Sequence, residues 1–134
     1  MRNLGIMCLL LVSVLTLSSC HPLALVAVGG AAGVGGYQYY QDKGVLEARI
    51  YEPYPAVWDA TLRALEGLGY VIESAQKEPT AGKVMAKGED AGPIVVTLEY
   101  ESESTTRAVI KVGHIGDKDA SLAIKEQIQK ALTQ

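Results

Sequence analysis

Five short stretches after Gly44 alternate apolar with polar residues, and this alternation constrains the fold more than any other feature. A period of two places alternate side chains on opposite faces of a β-strand. Glycine, proline and short polar residues separate the stretches, as expected of turns. The predicted strands are residues 45–51, 70–77, 83–87, 94–101 and 105–112.

Two further segments have the apolar spacing of helices. Residues 55–67 begin with Pro55, which suits a first helical turn. Their apolar face predicts a buried stripe that includes Trp58, interpreted as a core anchor. A second helix is predicted from Asp117, a good N-cap, to the C-terminus. Its apolar stripe is formed by Ile124, Ile128, Ala131 and Leu132.

Strand, helix, four strands and helix follow one another in residues 44–134. Short links between consecutive strands indicate antiparallel pairing. One face of each strand is apolar and the other is polar, so both helices are expected on the apolar face. We therefore predict an α+β fold, a two-layer sandwich with a mainly antiparallel five-stranded sheet and two helices on one face.

The N-terminus has the order of a secretory signal. Arg2 supplies one positive charge, and residues 4–17 are apolar and uncharged. Leu17-Ser18-Ser19-Cys20 then resembles the lipobox of bacterial lipoproteins. The resemblance implies cleavage of residues 1–19 as a lipoprotein signal peptide and acylation of the Cys20 sulfur. His21, rather than aspartate, follows the cysteine, so the resemblance to lipoproteins implies a location at the periplasmic face of the outer membrane.

Residues 20–43 are predicted to be the lipidated cysteine and an apolar tether rich in glycine and alanine. Gly29 and Gly33 stand four residues apart, and Ala32 and Gly36 repeat that spacing. In an apolar helix this spacing allows close backbone approach and self-association. The abundance of glycine equally fits a flexible spacer, because glycine destabilises helices. The sequence leaves both alternatives open.

Charge and cysteine content exclude several classes of protein. The formal net charge is −3, and it becomes more negative without Arg2, so we expect no nucleic-acid partner. The two cysteines are Cys8, within the predicted signal, and Cys20, so no disulfide is expected. With no Phe and one Trp, the core is expected to be aliphatic.

No arrangement of residues predicts catalysis, and we expect neither an enzyme nor a bound cofactor or metal. The only ligand-like group is His114 with Asp117 and Asp119, which is interpreted as a loop leading into a capped helix. There is no G-x-S-x-G motif and no phosphate-binding loop. Glutamates 99, 101 and 103 are interpreted as a solvated strand edge that discourages aggregation.

The polar face of the sheet is the predicted contact surface. Its basic members among acidic residues are Arg49, Lys83, Lys87, Arg107 and Lys111.

The sequence is compatible with two functions. The first is a membrane-tethered, non-catalytic binding or envelope-assembly module, whose partners are the lipid bilayer, through acylated Cys20, and an envelope protein. The second is a structural membrane element that self-associates through the glycine-rich segment.

The order of these pieces resembles a family of small bacterial lipoproteins known as domain-of-unknown-function family 3568. The resemblance covers nearly the whole chain. It implies a location and a domain shape, and it supplies no reaction and no functional residues. It is carried by Cys20, the glycine-rich stretch ending in Tyr37, Tyr39 and Tyr40, and the segments 44–48, 57–61, 64–65 and 112–117.

Overall fold

Six antiparallel strands form the sheet, one more than the sequence predicted. The structure is a computed structural model that describes residues 34–134. Two helices complete the α+β fold. In chain order the elements are β1 (Val34–Tyr40), β2 (Val45–Ile50), α1 (Tyr54–Gly67), β3 (Val71–Lys77), β4 (Ala81–Gly88), β5 (Gly92–Ser102), β6 (Thr105–Val112) and α2 (Lys118–Leu132).

The additional strand, β1, corrects the predicted five-stranded sheet. It lies in the segment assigned to the tether, and it pairs antiparallel with β2, with Tyr39 opposite Leu46. A tight turn joins the two strands, in which the Lys43 amide donates to the Tyr40 carbonyl over 3.2 Å. Tyr39 packs against the core, and this burial stabilises the strand despite its two glycines. Gly36 is therefore in an extended strand and cannot belong to a helical stripe.

The strand order across the sheet is β1-β2-β6-β5-β4-β3. Strands β3 to β6 form the predicted meander, and β6 then pairs antiparallel with β2. The pairing of β2 with β6 joins the two ends of the domain sequence. It leaves β1 and β3 as the two edges of the described sheet.

The core lies between one face of the sheet and the two helices. The inward faces predicted for β4 and β6 are confirmed, since Val84, Ala86, Ala108, Ile110 and Val112 are all buried. From α1 and α2 the core receives mainly Val57, Trp58, Leu65, Ile124 and Ile128.

Tyr100 breaks the alternation of buried residues along β5. It is 45% exposed, although Leu98, two residues earlier, is fully buried. The register between β5 and β6 shifts between Tyr100 and Ser102, at the end of both strands. Thr106, the residue opposite Tyr100 on β6, is nevertheless fully buried, so the loss of cover is confined to β5.

Both helices have recognisable boundaries. Asp117 is the N-cap of α2, as predicted, and its Oδ1 accepts a hydrogen bond from the Ala120 amide over 3.0 Å. The amide of Leu68 closes α1 by donating to the Ala64 carbonyl, and Gly69 follows with a positive φ of 82°. The two helices are also joined, because Arg63 Nη2 donates to the Ala131 carbonyl over 3.2 Å.

Trp58 is buried in the core, which confirms its predicted role as an anchor. Its ring occupies the space left by the missing side chain of Gly82 on β4. A Cβ at Gly82 would lie 2.3 Å from Trp58 Cζ3 and 2.7 Å from the Tyr54 hydroxyl. That hydroxyl donates to the Glu78 carbonyl over 3.0 Å. Gly82 therefore allows two aromatic side chains of α1 to pack directly on the sheet.

A glycine pair brings the β1–β2 turn against the loop before α2. Gly44 and Gly116 both have positive φ, 62° and 95°. A Cβ on Gly44 would lie 2.0 Å from the Ile115 carbonyl oxygen, and one on Gly116 would lie 2.3 Å from Gly44. Only glycine permits both the backbone conformation and this approach.

We expect Gly82→Ala to destabilise the protein by about 1–3 kcal/mol, because overpacking forces a shift in the backbone or in Trp58. Urea unfolding followed by the fluorescence of Trp58, the sole tryptophan, measures this cost. Gly67→Ala is the matched control. It adds the same methyl group near the end of α1, where the nearest atom to a Cβ is Gln127 Nε2 at 3.4 Å. Equal stability of the two variants would contradict the packing described here.

Candidate functional site

The outer face of the sheet, the one opposite α1 and α2, is the candidate functional site. Within residues 34–134 no helix covers it, and its side chains alternate along each strand with the buried core residues. A face of this kind in an antiparallel sheet can stay solvated or receive a partner.

The structure places all five predicted contact residues on this outer face. Arg49 lies on β2, and Arg107 and Lys111 lie on the adjacent β6. Lys83 and Lys87 lie on β4, separated from β6 by β5. Arg49, Lys83 and Lys87 are exposed, whereas Arg107 and Lys111 are half-buried.

The two arginines do not act as free positive charges. Arg49 lies directly opposite Arg107 across β2 and β6, an arrangement that is destabilising for unpaired like charges. Three glutamates offset it. Arg49 Nε lies 3.1 Å from Glu101, Arg107 Nη1 lies 3.5 Å from Glu47, and Arg107 Nη2 donates to Glu99.

Arg107 is the centre of this Arg–Glu network, which comprises Arg49, Arg107, Glu47, Glu99 and Glu101. The hydrogen bond to Glu99 and the charge of that carboxylate raise the pKa of Arg107 above its ordinary value. The charges of Glu47 and Glu101 act in the same direction, and partial burial opposes them. The guanidinium is therefore held as a cation and fixed in position by carboxylates on two neighbouring strands.

The three lysines differ from the arginines, because no ion pair joins them to another residue in the described part of the chain. They surround a small apolar area. Lys111 is opposite Val95 in the register, and Val95 is opposite Met85, which is 38% exposed. Lys83 and Lys87 flank Met85 on β4. This half of the face, the lysine patch, comprises Lys83, Met85, Lys87, Val95 and Lys111.

The two halves of the outer face differ in chemistry. One half offers ammonium groups around methionine and valine side chains, which suit an acidic surface that also carries apolar groups. The other half is a fixed row of guanidinium and carboxylate groups. An open depression of about 230 Å³ lies there, lined by Arg49, Glu99, Tyr100, Glu101 and Arg107.

The loop before α2 was the other cluster considered from the sequence. Asp117 is engaged as the N-cap, which confirms the interpretation of that segment as a capped helix start. Among residues 34–134, no three His, Cys, Asp or Glu side chains are grouped so that they could hold a metal ion. Neither α1 nor α2 combines the length and the apolar character that crossing a membrane requires.

Several predicted residues lie outside the part of the chain that the structure describes. They are Cys20, the predicted lipidation site, and Gly29 and Gly33 of the proposed helical stripe. The third glycine of that stripe, Gly36, lies in β1.

A comparison with protein-family models gives one match, described as a protein of unknown function (DUF3568), over residues 3–131. The chain belongs to this family. The match confirms the family that the sequence resembles, and it covers the N-terminal segment from residue 3 and the described domain up to residue 131. No curated protein matches the chain.

Sequence reasoning missed the carboxylates of the Arg–Glu network in this DUF3568 member. Glu99 and Glu101 were interpreted as an aggregation-resistant edge, yet β5 is an interior strand with β4 and β6 on either side. Edge position depends on strand order, which local alternation does not reveal.

A signal for the missed β1 did exist, because Tyr37 to Tyr40 precede a glycine-containing turn and then the alternating β2.

We expect Arg107→Ala to lower the free energy of unfolding by about 1 kcal/mol, near the upper end for exposed ion pairs, since Glu47 and Glu99 lose a shared cation. The loss should shrink at high salt, because screening weakens the interactions of solvent-accessible charges. Urea unfolding at low and high salt measures both effects. Arg49→Ala is the control. Arg49 is 60% exposed and has one carboxylate partner, so its cost should be smaller. A larger cost for Arg49→Ala would contradict the central position of Arg107.

Proposed function

We propose that this DUF3568 member is a bacterial lipoprotein of the cell envelope with a non-catalytic binding or assembly role. Acylated Cys20 anchors it to the periplasmic face of the outer membrane. The domain then presents the outer face of its sheet to an envelope protein.

The anchor is supported by the residues that precede the described domain. Residues 4–17 are apolar and uncharged, and Ser18 and Ser19 are small residues directly before Cys20. A cysteine sulfur is a strong nucleophile suited to accept a lipid group. Several acyl chains hold a protein on a bilayer, since each buried methylene contributes about 0.8 kcal/mol.

The binding role rests on one observation, the lysine patch. Within residues 34–134, Lys83, Lys87 and Lys111 form no ion pair and no helix covers their face, while the two arginines of the same face are paired with glutamates. An acidic partner surface with apolar groups complements this patch in charge and in chemistry. Ammonium groups on long apolar stems also tolerate partial desolvation around Met85.

The competing role, self-association through a glycine-rich helix, receives less support. One of its three glycines, Gly36, lies in a strand that pairs with β2. The binding module is therefore favoured.

We expect Cys20→Ser to abolish lipid attachment and to leave a precursor of higher mass. The measurement is metabolic labelling with a palmitate analogue, followed by electrophoresis and intact-mass determination. Ser19→Ala is the control, because alanine is also small and should preserve cleavage. Lipid incorporation into the Cys20→Ser protein would show that the anchor is elsewhere.

We expect a photo-crosslinking residue at Met85 to give a discrete adduct with an envelope protein in intact cells. The same residue at Asp59, exposed on α1, should not give that adduct. Combining the Met85 probe with Lys83→Glu and Lys111→Glu should remove the adduct, because the charge of the lysine patch is reversed. Identical adducts from both probe positions, or an adduct insensitive to charge reversal, would rule out binding through this patch.

A further inference from the structure

The free edge of β1 lacks the side-chain protection that edge strands usually carry, and the register shift between Val34 and Tyr37 leaves residues 37–40 regularly paired with β2. Strand β1 is first in the strand order, and its other side pairs with no strand within residues 34–134. Its sequence, VGGYQYY, contains neither charge nor proline. The opposite edge strand, β3, carries Glu73 and Lys77. Charges on edge strands oppose pairing with other chains, so the two edges of this sheet are not equivalent.

We propose that β1 pairs antiparallel with β1 of a second copy of this chain, with the two-fold axis at Gln38. The two six-stranded sheets then join edge to edge. An antiparallel pair of identical strands is self-complementary, because each residue and its partner exchange roles across the axis. An uncharged strand is suited to this pairing, since no like charges face each other.

The register centred on Gln38 matches each side chain with a suitable partner. In this register, two opposed residues lie equally far from Gln38, one before it and one after it. Tyr37 therefore faces Tyr39 of the second copy. Aromatic pairs of this kind stabilise neighbouring strands. Tyr40 comes next to Gly36 of the second copy, within the register shift of β1, where a Cβ would meet no atom of its own copy within 4 Å. A tyrosine ring can therefore lie over this glycine, an arrangement known to stabilise glycine in strands.

The side chains at this edge are already positioned within one copy. Lys125 on α2 is 5% exposed, and its Nζ lies 4.3 Å from the centroid of the Tyr37 ring. This cation–π contact fixes the ring on the helix side of the sheet. Tyr37 nevertheless remains 49% exposed. The exposed part of an immobilised aromatic ring is a favourable contact, because little conformational entropy is lost on binding.

Stable protein interfaces typically bury about 1,200 Å² of accessible surface or more. Pairing along one short strand buries less surface than this. The dimer therefore depends on concentration, and the inference rests in this respect on the proposed lipid anchor. Tethering to one membrane raises the effective concentration of the strands, as any linkage of binding partners does. We expect dimers in the membrane and monomers in dilute solution when the anchor is absent.

The test is oxidative crosslinking of full-length Gln38→Cys in native membranes. Directly opposed residues of antiparallel strands have Cα atoms about 4.5–5.5 Å apart, within the range for a disulfide. Gln76→Cys is the matched control, since Gln76 is an exposed glutamine on the other edge strand, β3. We expect a disulfide-linked dimer from Gln38→Cys and none from Gln76→Cys. No dimer from Gln38→Cys, or equal dimer from both, overturns the proposal.

A second arm tests the register and the role of charge. Gly36→Cys and Tyr40→Cys should crosslink when coexpressed and should not crosslink when either is expressed alone. For the parent, Gln38→Lys and Gln38→Thr proteins, the dimer is followed by amine-independent photochemical crosslinking in native membranes and electrophoresis. Lysine should abolish it by placing two charges face to face, and threonine should preserve it. Dimer retained in Gln38→Lys contradicts pairing through β1.

Measurements on the parent protein distinguish a failure of β1 pairing from a failure of the proposed lipid anchor. Acylation leaves Cys20 without a thiol, and Cys8 lies in the segment expected to be removed, so the lipidated parent should not crosslink. A parent that lacks lipid label and crosslinks shows that the anchor proposal fails. A labelled parent together with an uncrosslinked Gln38→Cys shows that edge pairing fails and the anchor stands.

Discussion

The pairing of β2 with β6 is the interaction on which the rest of the structure depends. It joins segments about sixty residues apart and places Leu46 opposite Ile110 and Ala48 opposite Ala108 in the core. The same register places Arg49 opposite Arg107 on the outer face. Since side chains alternate along a strand, one choice of register determines both faces. A slip of one residue would bury the arginines and expose the core.

The constraint on the outer face is electrostatic, whereas that on the inner face is steric. Two facing arginines are acceptable only because Glu47, Glu99 and Glu101 lie within reach of them. On the inner face, Trp58 fits because Gly82 has no side chain. Both solutions combine residues from distant parts of the sequence. Each therefore forms only when the strands and α1 are already in place.

The outer face and the β1 edge offer two different kinds of contact. The lysine patch presents side-chain charge and apolar groups, which select a partner by its chemistry. The β1 edge presents backbone donors and acceptors, which select an extended strand. Because the two surfaces use different groups, the proposed envelope partner and the proposed second copy would not compete for the same atoms.

The sequence by itself determined the family, the α+β class, five of the six strands, both helices, the core position of Trp58 and the Asp117 cap. These features depend on local periodicity and on capping residues, and both can be recognised within a short window of sequence. Only the tertiary structure decided that residues 34–40 form a strand, because β2 and the core supply the partners that a glycine-rich segment lacks alone. It also decided that Glu99 pairs with Arg107 and Glu101 with Arg49. These residues lie far apart in the sequence or on different strands, and only the order of the strands brings their charges together.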